Sequence, residues 1–161
     1  MKIKKISILI LFSFIFSPFL FGCNQNTYVA SKKNFTFEKI NFDVVEKEIF
    51  IDKSLPIKIQ NQINLWFSSS VVVDGFGGKV EIHISNYNEK ISNFDNKKKI
   101  DLNLDFKVVE TKGNDKKSFN GTVSTFSEIS GDFSLNEFDS LVFETQMNLI
   151  DRLILELKSI V

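Results

Sequence analysis

From Ile100 to Val108 apolar and polar residues alternate without a break. Ile100, Leu102, Leu104, Phe106 and Val108 fall on one side, and Asp101, Asn103, Asp105 and Lys107 on the other. Successive side chains of a strand point to opposite faces, so this pattern predicts a strand with one buried and one wet face. Such a strand needs neighbours in a sheet and a second layer over its apolar side. Val80, Ile82 and Ile84, alternating with Glu81, His83 and Ser85, predict a preceding strand that reaches Ile91. Phe119 to Phe126 predicts a weaker following strand, with Gly121 expected at a bulge. Turn signals at 93–98 (NFDNKK) and 112–116 (KGNDK) separate the three, which makes them an antiparallel meander.

Two helices are predicted to supply the covering layer. Ser54 can cap the first and Pro56 sits in its first turn, where a missing N–H costs nothing. Leu55, Ile59 and Ile63 with Trp66 or Phe67 recur at helical spacing up to the serine run 68–70. The last helix opens with a capping box, Ser134-Leu135-Asn136-Glu137, and Phe133 can staple onto Phe138. Leu135, Phe138, Val142, Leu149, Leu153, Leu157 and Ile160 form its apolar stripe. A further strand is expected over 35–46, with Ile40, Phe42 and Val44 on one face. The fold class is therefore α+β, a four-stranded, mostly antiparallel sheet with two helices packed on one face, in the order β-α-β-β-β-α.

The N-terminus has a different character. Lys2, Lys4 and Lys5 precede an uncharged apolar run, 6–21, too short for the about 20 residues of a membrane-spanning helix. Gly22 and the chain's single cysteine, Cys23, follow at the position of a cleavage site. Leu20-Phe21-Gly22-Cys23 resembles the bacterial lipobox, which implies removal of residues 1–22 and attachment of a diacylglycerol to the Cys23 thiol; the alternatives are a plain secretory signal with an incidental cysteine and an uncleaved N-terminal membrane anchor. Two acyl chains anchor a protein stably without spanning the bilayer. The polar segment 23–34 then serves as a lipidated tether, and 35–161 as a single domain. With no second cysteine an internal disulfide is impossible, so that domain relies on its core alone.

Charge and residue types narrow the function. Without the three lysines of the leader, 17 basic residues face 20 acidic ones, a net charge of −3, too balanced for a nucleic-acid binder. His83, the only histidine, is expected on the wet face of its strand, with no cysteine as a co-ligand, so no metal site is assigned. No Gly-x-Ser-x-Gly elbow presents a nucleophile. The glycine-rich 75–78 leads into a strand rather than a helix, so it reads as a turn and not as a phosphate loop. Asp101 and Asp105 share a strand face as any solvated pair would, outside a cleft. Lys97, Lys98 and Lys99 form a basic turn that is a candidate contact for lipid phosphates, although three lysines at a hairpin tip are more often simply solvated. Trp66, Phe67 and Phe76 are expected in the core, with a partner anchor as the alternative role for such rings. These residues favour a non-enzymatic binding role, with no cofactor.

The layout as a whole resembles the LPS-assembly lipoprotein family LptE. The resemblance rests on the lipobox-like 20–23, the Pro56-capped helix, the meander from Val80 to Phe126, and the final helix introduced by Phe133-Ser134-Leu135-Asn136-Glu137-Phe138. It implies an outer-membrane lipoprotein facing the periplasm that supports a β-barrel partner and contacts lipopolysaccharide. Asn24 after the lipidated cysteine is compatible with outer-membrane sorting. The alternative is an auxiliary lipoprotein of an ABC-type lipid-transport system or another envelope lipoprotein, and a periplasmic enzyme is the third class.

Overall fold

In a computed structural model, which describes residues 37–161, the meander is the centre of the molecule. Strands β4 (Lys79–Phe94), β5 (Lys97–Lys112) and β6 (Asp115–Ser130) are each 16 residues long and pair antiparallel across two tight turns. A short strand, β2 (Glu46–Ile51), adds to the far side of β4 in parallel, and the sheet order is β2-β4-β5-β6. Helices α1 (Ile57–Ser70) and α2 (Leu135–Ile160) lie over its apolar face. The α+β class and the mostly antiparallel four-stranded sheet are as the sequence predicts.

The predicted first strand is divided between two sheets. Ile40–Phe42 (β1) pairs in parallel with Val71–Val73 (β3) as a separate two-stranded sheet, and β2 joins the main one. The chain changes sheets over 43–45, where Gly75 N–H donates to Val44 O at 3.0 Å and Val45 N–H donates to Gly78 O at 3.2 Å. A Cβ at Gly75 would lie 2.4 Å from the Asp43 carbonyl carbon, so glycine is required for this approach. Ile40, Phe42 and Val44 are buried, as the alternation predicts. The charged start of β2, Glu46-Lys47-Glu48, masks the strand in sequence.

The helix starts differ. At α1 Pro56 occupies the cap position with no side-chain hydrogen bond, whereas Ser54 N–H is taken by the Asp52 carboxylate at 2.9 Å. Ser54 is thus not the cap; the Asp52 turn holds it two residues before the cap position. At α2 the capping box is complete: Ser134 Oγ accepts from Glu137 N–H at 3.2 Å, and Glu137 Oε2 accepts from Ser134 N–H at 2.6 Å. The Phe133 and Phe138 rings meet at 6.2 Å as the staple requires.

One core joins these elements. Trp66, Ile59 and Ile63 of α1 meet Leu149, Leu153 and Leu157 of α2 above Val80, Ile82, Ile84, Ile100, Leu102 and Leu104 of the sheet. Trp66 is fully buried, and its Nε1–H has no partner among the described residues. Lys47 reaches under α1, donating to the carbonyls of Phe67 (3.3 Å) and Val71 at the helix end, where a cation meets the negative end of the helix dipole.

Three expectations are corrected. Gly121 is not at a bulge: it pairs regularly with Phe106, and a Cβ there would lie 2.8 Å from the Phe106 ring, so glycine makes room for the ring. The bulge lies in β4 between Ser85 and Asn88, with Asn86 at φ 53°. One extra residue there turns Ile91 onto the same face as Ile84 despite the odd spacing. Phe76 is fully exposed at the tip of the turn between β3 and β4, where no described element covers it. Leu135 is also exposed, because the first turn of α2 extends past the core.

Candidate functional site

The β4–β5 hairpin carries the basic turn to the end of the sheet that β2 does not reach. Alternation splits its three lysines. Lys98 points to the helix side, its Nζ 4.6 Å from the Phe138 ring centre and 5.3 Å from that of Phe133. Lys99 points to the wet face, with Nζ 2.6 Å from Asp101 and 5.0 Å from the Phe126 ring centre. Lys97, opposite Phe94, is exposed on the same wet face. The structure therefore brings together Lys97 and Lys99 with two aromatic rings, Phe94 at 59% exposure and Phe126 at 62%, and turns Lys98 away from them.

A cleft of about 340 Å³ lies beneath this turn, lined by Phe94, Lys97, Lys98, Phe133, Asp95 and Asp132 among others. Its two lysines are matched by two aspartates, so it has no net charge with which to collect an anion. The tip is amphipathic: exposed aromatic rings with lysines beside them, on a hairpin whose wet face is open.

The tip is far from where the chain enters the described domain. Glu38 is ion-paired with Lys158 at the last turn of α2, and Ser70 Oγ donates to Phe37 O at 3.5 Å. Lys98 rests on Phe138 in the first turn of the same helix. At 1.5 Å per residue, the helix between Phe138 and Lys158 separates the two by about 30 Å. Cys23 and the tether lie outside the described residues.

The other candidates have ordinary surroundings. His83 stacks on Phe50 at 4.6 Å between ring centres, with Nε2 3.6 Å from Glu81. No group of three metal-binding side chains occurs among the described residues. Asp105 accepts from Thr122 Oγ1 at 2.6 Å and Asn86 Nδ2 at 2.8 Å, and these donors hold its carboxyl below the usual carboxylate range. Burial, and then a 2.6 Å bond to Glu89, push the Tyr87 hydroxyl well above the usual phenol range. Neither group lines the cleft beneath the β4–β5 turn. No described helix is long and apolar enough to cross a membrane. Phe94 and Phe126 were not singled out by the sequence, although each is an aromatic residue in a polar stretch, NFDN and TFSE, which is the available signal.

No protein-family model matches the chain, and no curated protein matches it either. Among solved structures it is similar to a minor lipoprotein from Acinetobacter baumannii (11% identity, TM-score 0.47), over 72% of this chain and 90% of that one. It is similar to the rare lipoprotein B from Shewanella oneidensis (14%, 0.45), covering 70% and 92%. An uncharacterized lipoprotein B from Nitrosomonas europaea matches at 8% and 0.45, covering 74% and 86%. At TM-scores under 0.5 the likeness carries no argument about function.

Proposed function

We propose that this chain is an outer-membrane lipoprotein, anchored through Cys23 and facing the periplasm. In this reading it has a non-enzymatic binding role in the transport and insertion of lipopolysaccharide beside a β-barrel partner. The observation that carries the reading is the separation of about 30 Å between the end of the domain where the chain enters and the amphipathic hairpin tip. A domain tethered at the first end is able to present the second to material arriving away from its own anchor. Lys97 supplies a cation for a lipid phosphate, with Lys99 beside it shared with Asp101, and Phe94 and Phe126 supply the apolar surface for the chains behind it.

The test is extraction of the tagged full-length protein from its native membranes in mild detergent, followed by identification of what co-purifies. A large β-barrel with lipopolysaccharide supports the proposal. An ATPase and permease in their place would mean an auxiliary of an ABC-type lipid transporter, and labelling that fails to find acyl chains on Cys23 would remove the anchor.

A further inference from the structure

The outer edge of the sheet is β6, a strand of 16 residues with no proline and no bulge. The direction of its backbone groups follows from two bonds. Gly131 N–H, in continuation of β6, donates to Asn96 O at 2.9 Å, so odd-numbered residues face β5. Even-numbered residues then face outward, and Arg152 Nη1 reaches one of them from α2, the Ser124 carbonyl, at 2.8 Å. Among the described residues that arginine, the only one in the chain, is bonded to one outward group of this long edge. Long edges without such protection are templates for another strand.

We propose that the occupant is a second copy of this chain, paired antiparallel through β6 about a twofold axis at Thr122. The charge pattern selects both partner and direction. The strand opens with Asp115, Lys116 and Lys117 and has Glu128 near its end, and of these Lys116 and Glu128 belong to the even-numbered set. Antiparallel pairing centred on Thr122 sets Lys116 opposite the second copy's Glu128, and even residues opposite even ones, as the outward-facing groups require. Parallel pairing would set lysine against lysine. Phe126 falls opposite Ser118, and Leu155, one turn along α2 from Arg152 and 62% exposed, lies on the flank that a second helix would approach. Pairing exchanges the Arg152 guanidinium on Ser124 O for the N–H of the second copy's Asn120. The contact is independent of the lipopolysaccharide reading.

The test is oxidative cross-linking in native membranes of the full-length chain carrying Thr122→Cys or Asn120→Cys, with the parent chain, whose only cysteine is Cys23, as control. At the axis the two Cα atoms are about 5.5 Å apart, within the range of a disulfide. The two copies of position 120 are offset by four residues, about 13 Å along the strand, and are out of reach. The expected result is a covalent dimer for Thr122→Cys and none for Asn120→Cys. Arg152→Gln frees Ser124 O and is expected to tighten association of the detergent-extracted protein about tenfold, the worth of roughly one hydrogen bond. Equal cross-linking at both positions, or none at Thr122→Cys even with Arg152→Gln, overturns the proposal. A cross-link from Thr122→Cys to another protein also overturns it and gives the edge to that partner.

Discussion

The two halves of the β4–β5 hairpin have similar composition and different surroundings. From Lys79 to Ile84, β4 has β2 on one side and β5 on the other, with both helices above, and Val80, Ile82 and Ile84 are buried. From Asn88 to Phe94 it has β5 alone as a strand neighbour, and Ile91 and Phe94 are exposed. Ile84 and Ile91 are the same residue on the same face of the same strand. The presence of a covering layer, not the residue type, decides which becomes core. The first half contributes to the core, and the second leaves its apolar side chains in solvent.

That contrast breaks most severely at the covered end. Trp66→Ala empties the largest fully buried side chain and is expected to cost about 3–5 kcal/mol in denaturant unfolding. A loss below about 1 kcal/mol would mean that α1 is not a working part of the core. Gly121→Val drives a side chain into the Phe106 ring and is expected to cost about 1–3 kcal/mol, with partial recovery in the double variant with Phe106→Leu. Additive losses in that cycle would refute the contact.

Smaller effects sharpen the contrast at the junction. Ser134→Ala removes the α2 cap and is expected to cost about 1 kcal/mol. The same box gives a pH dependence. The Ser134 backbone N–H, and then its hydroxyl, hold the Glu137 carboxyl below its ordinary value. Its contribution is therefore present above the usual glutamate range and is lost as pH falls through the lowered folded-state value. Unfolding midpoints of the parent and Glu137→Gln are expected to converge as pH drops from neutral to acid; a constant gap would remove Glu137 from the account.

At the open end, Phe94→Ser with Phe126→Ser is expected to change stability by no more than about 0.5 kcal/mol per site. The same pair is expected to reduce co-sedimentation of the full-length protein with anionic vesicles. A large loss of stability would make these rings core after all, and unchanged sedimentation would end the tip's role in lipid contact.

Much of the core was legible in sequence because local patterns set it. Alternation placed Val80, Ile82 and Ile84 and the residues from Ile100 to Val108, and helical spacing placed Ile59, Ile63, Trp66 and the later part of the α2 stripe. The capping box and staple of α2 were legible for the same reason, since each is complete within a few neighbouring residues. The bulge in β4, the position of Gly121 and the division of the first strand were not, because each depends on which segment lies opposite. Of the candidate site, the lysine turn was visible, but its splitting required the register of β5 against Phe94, Phe126 and the start of α2.

The sequence by itself determined the fold class, the meander and the start of α2, because secondary-structure period and capping are read over a few consecutive residues. Only the tertiary structure decided that β1 and β2 belong to different sheets and that Phe76 and Phe94 stay in solvent. It alone turned Lys98 away from Lys97 and Lys99, brought Arg152 to the edge of β6, and set the hairpin tip about 30 Å from the chain's point of entry. Each of these depends on contacts between segments distant in sequence, and burial is a property of what lies opposite a residue rather than of the residue itself.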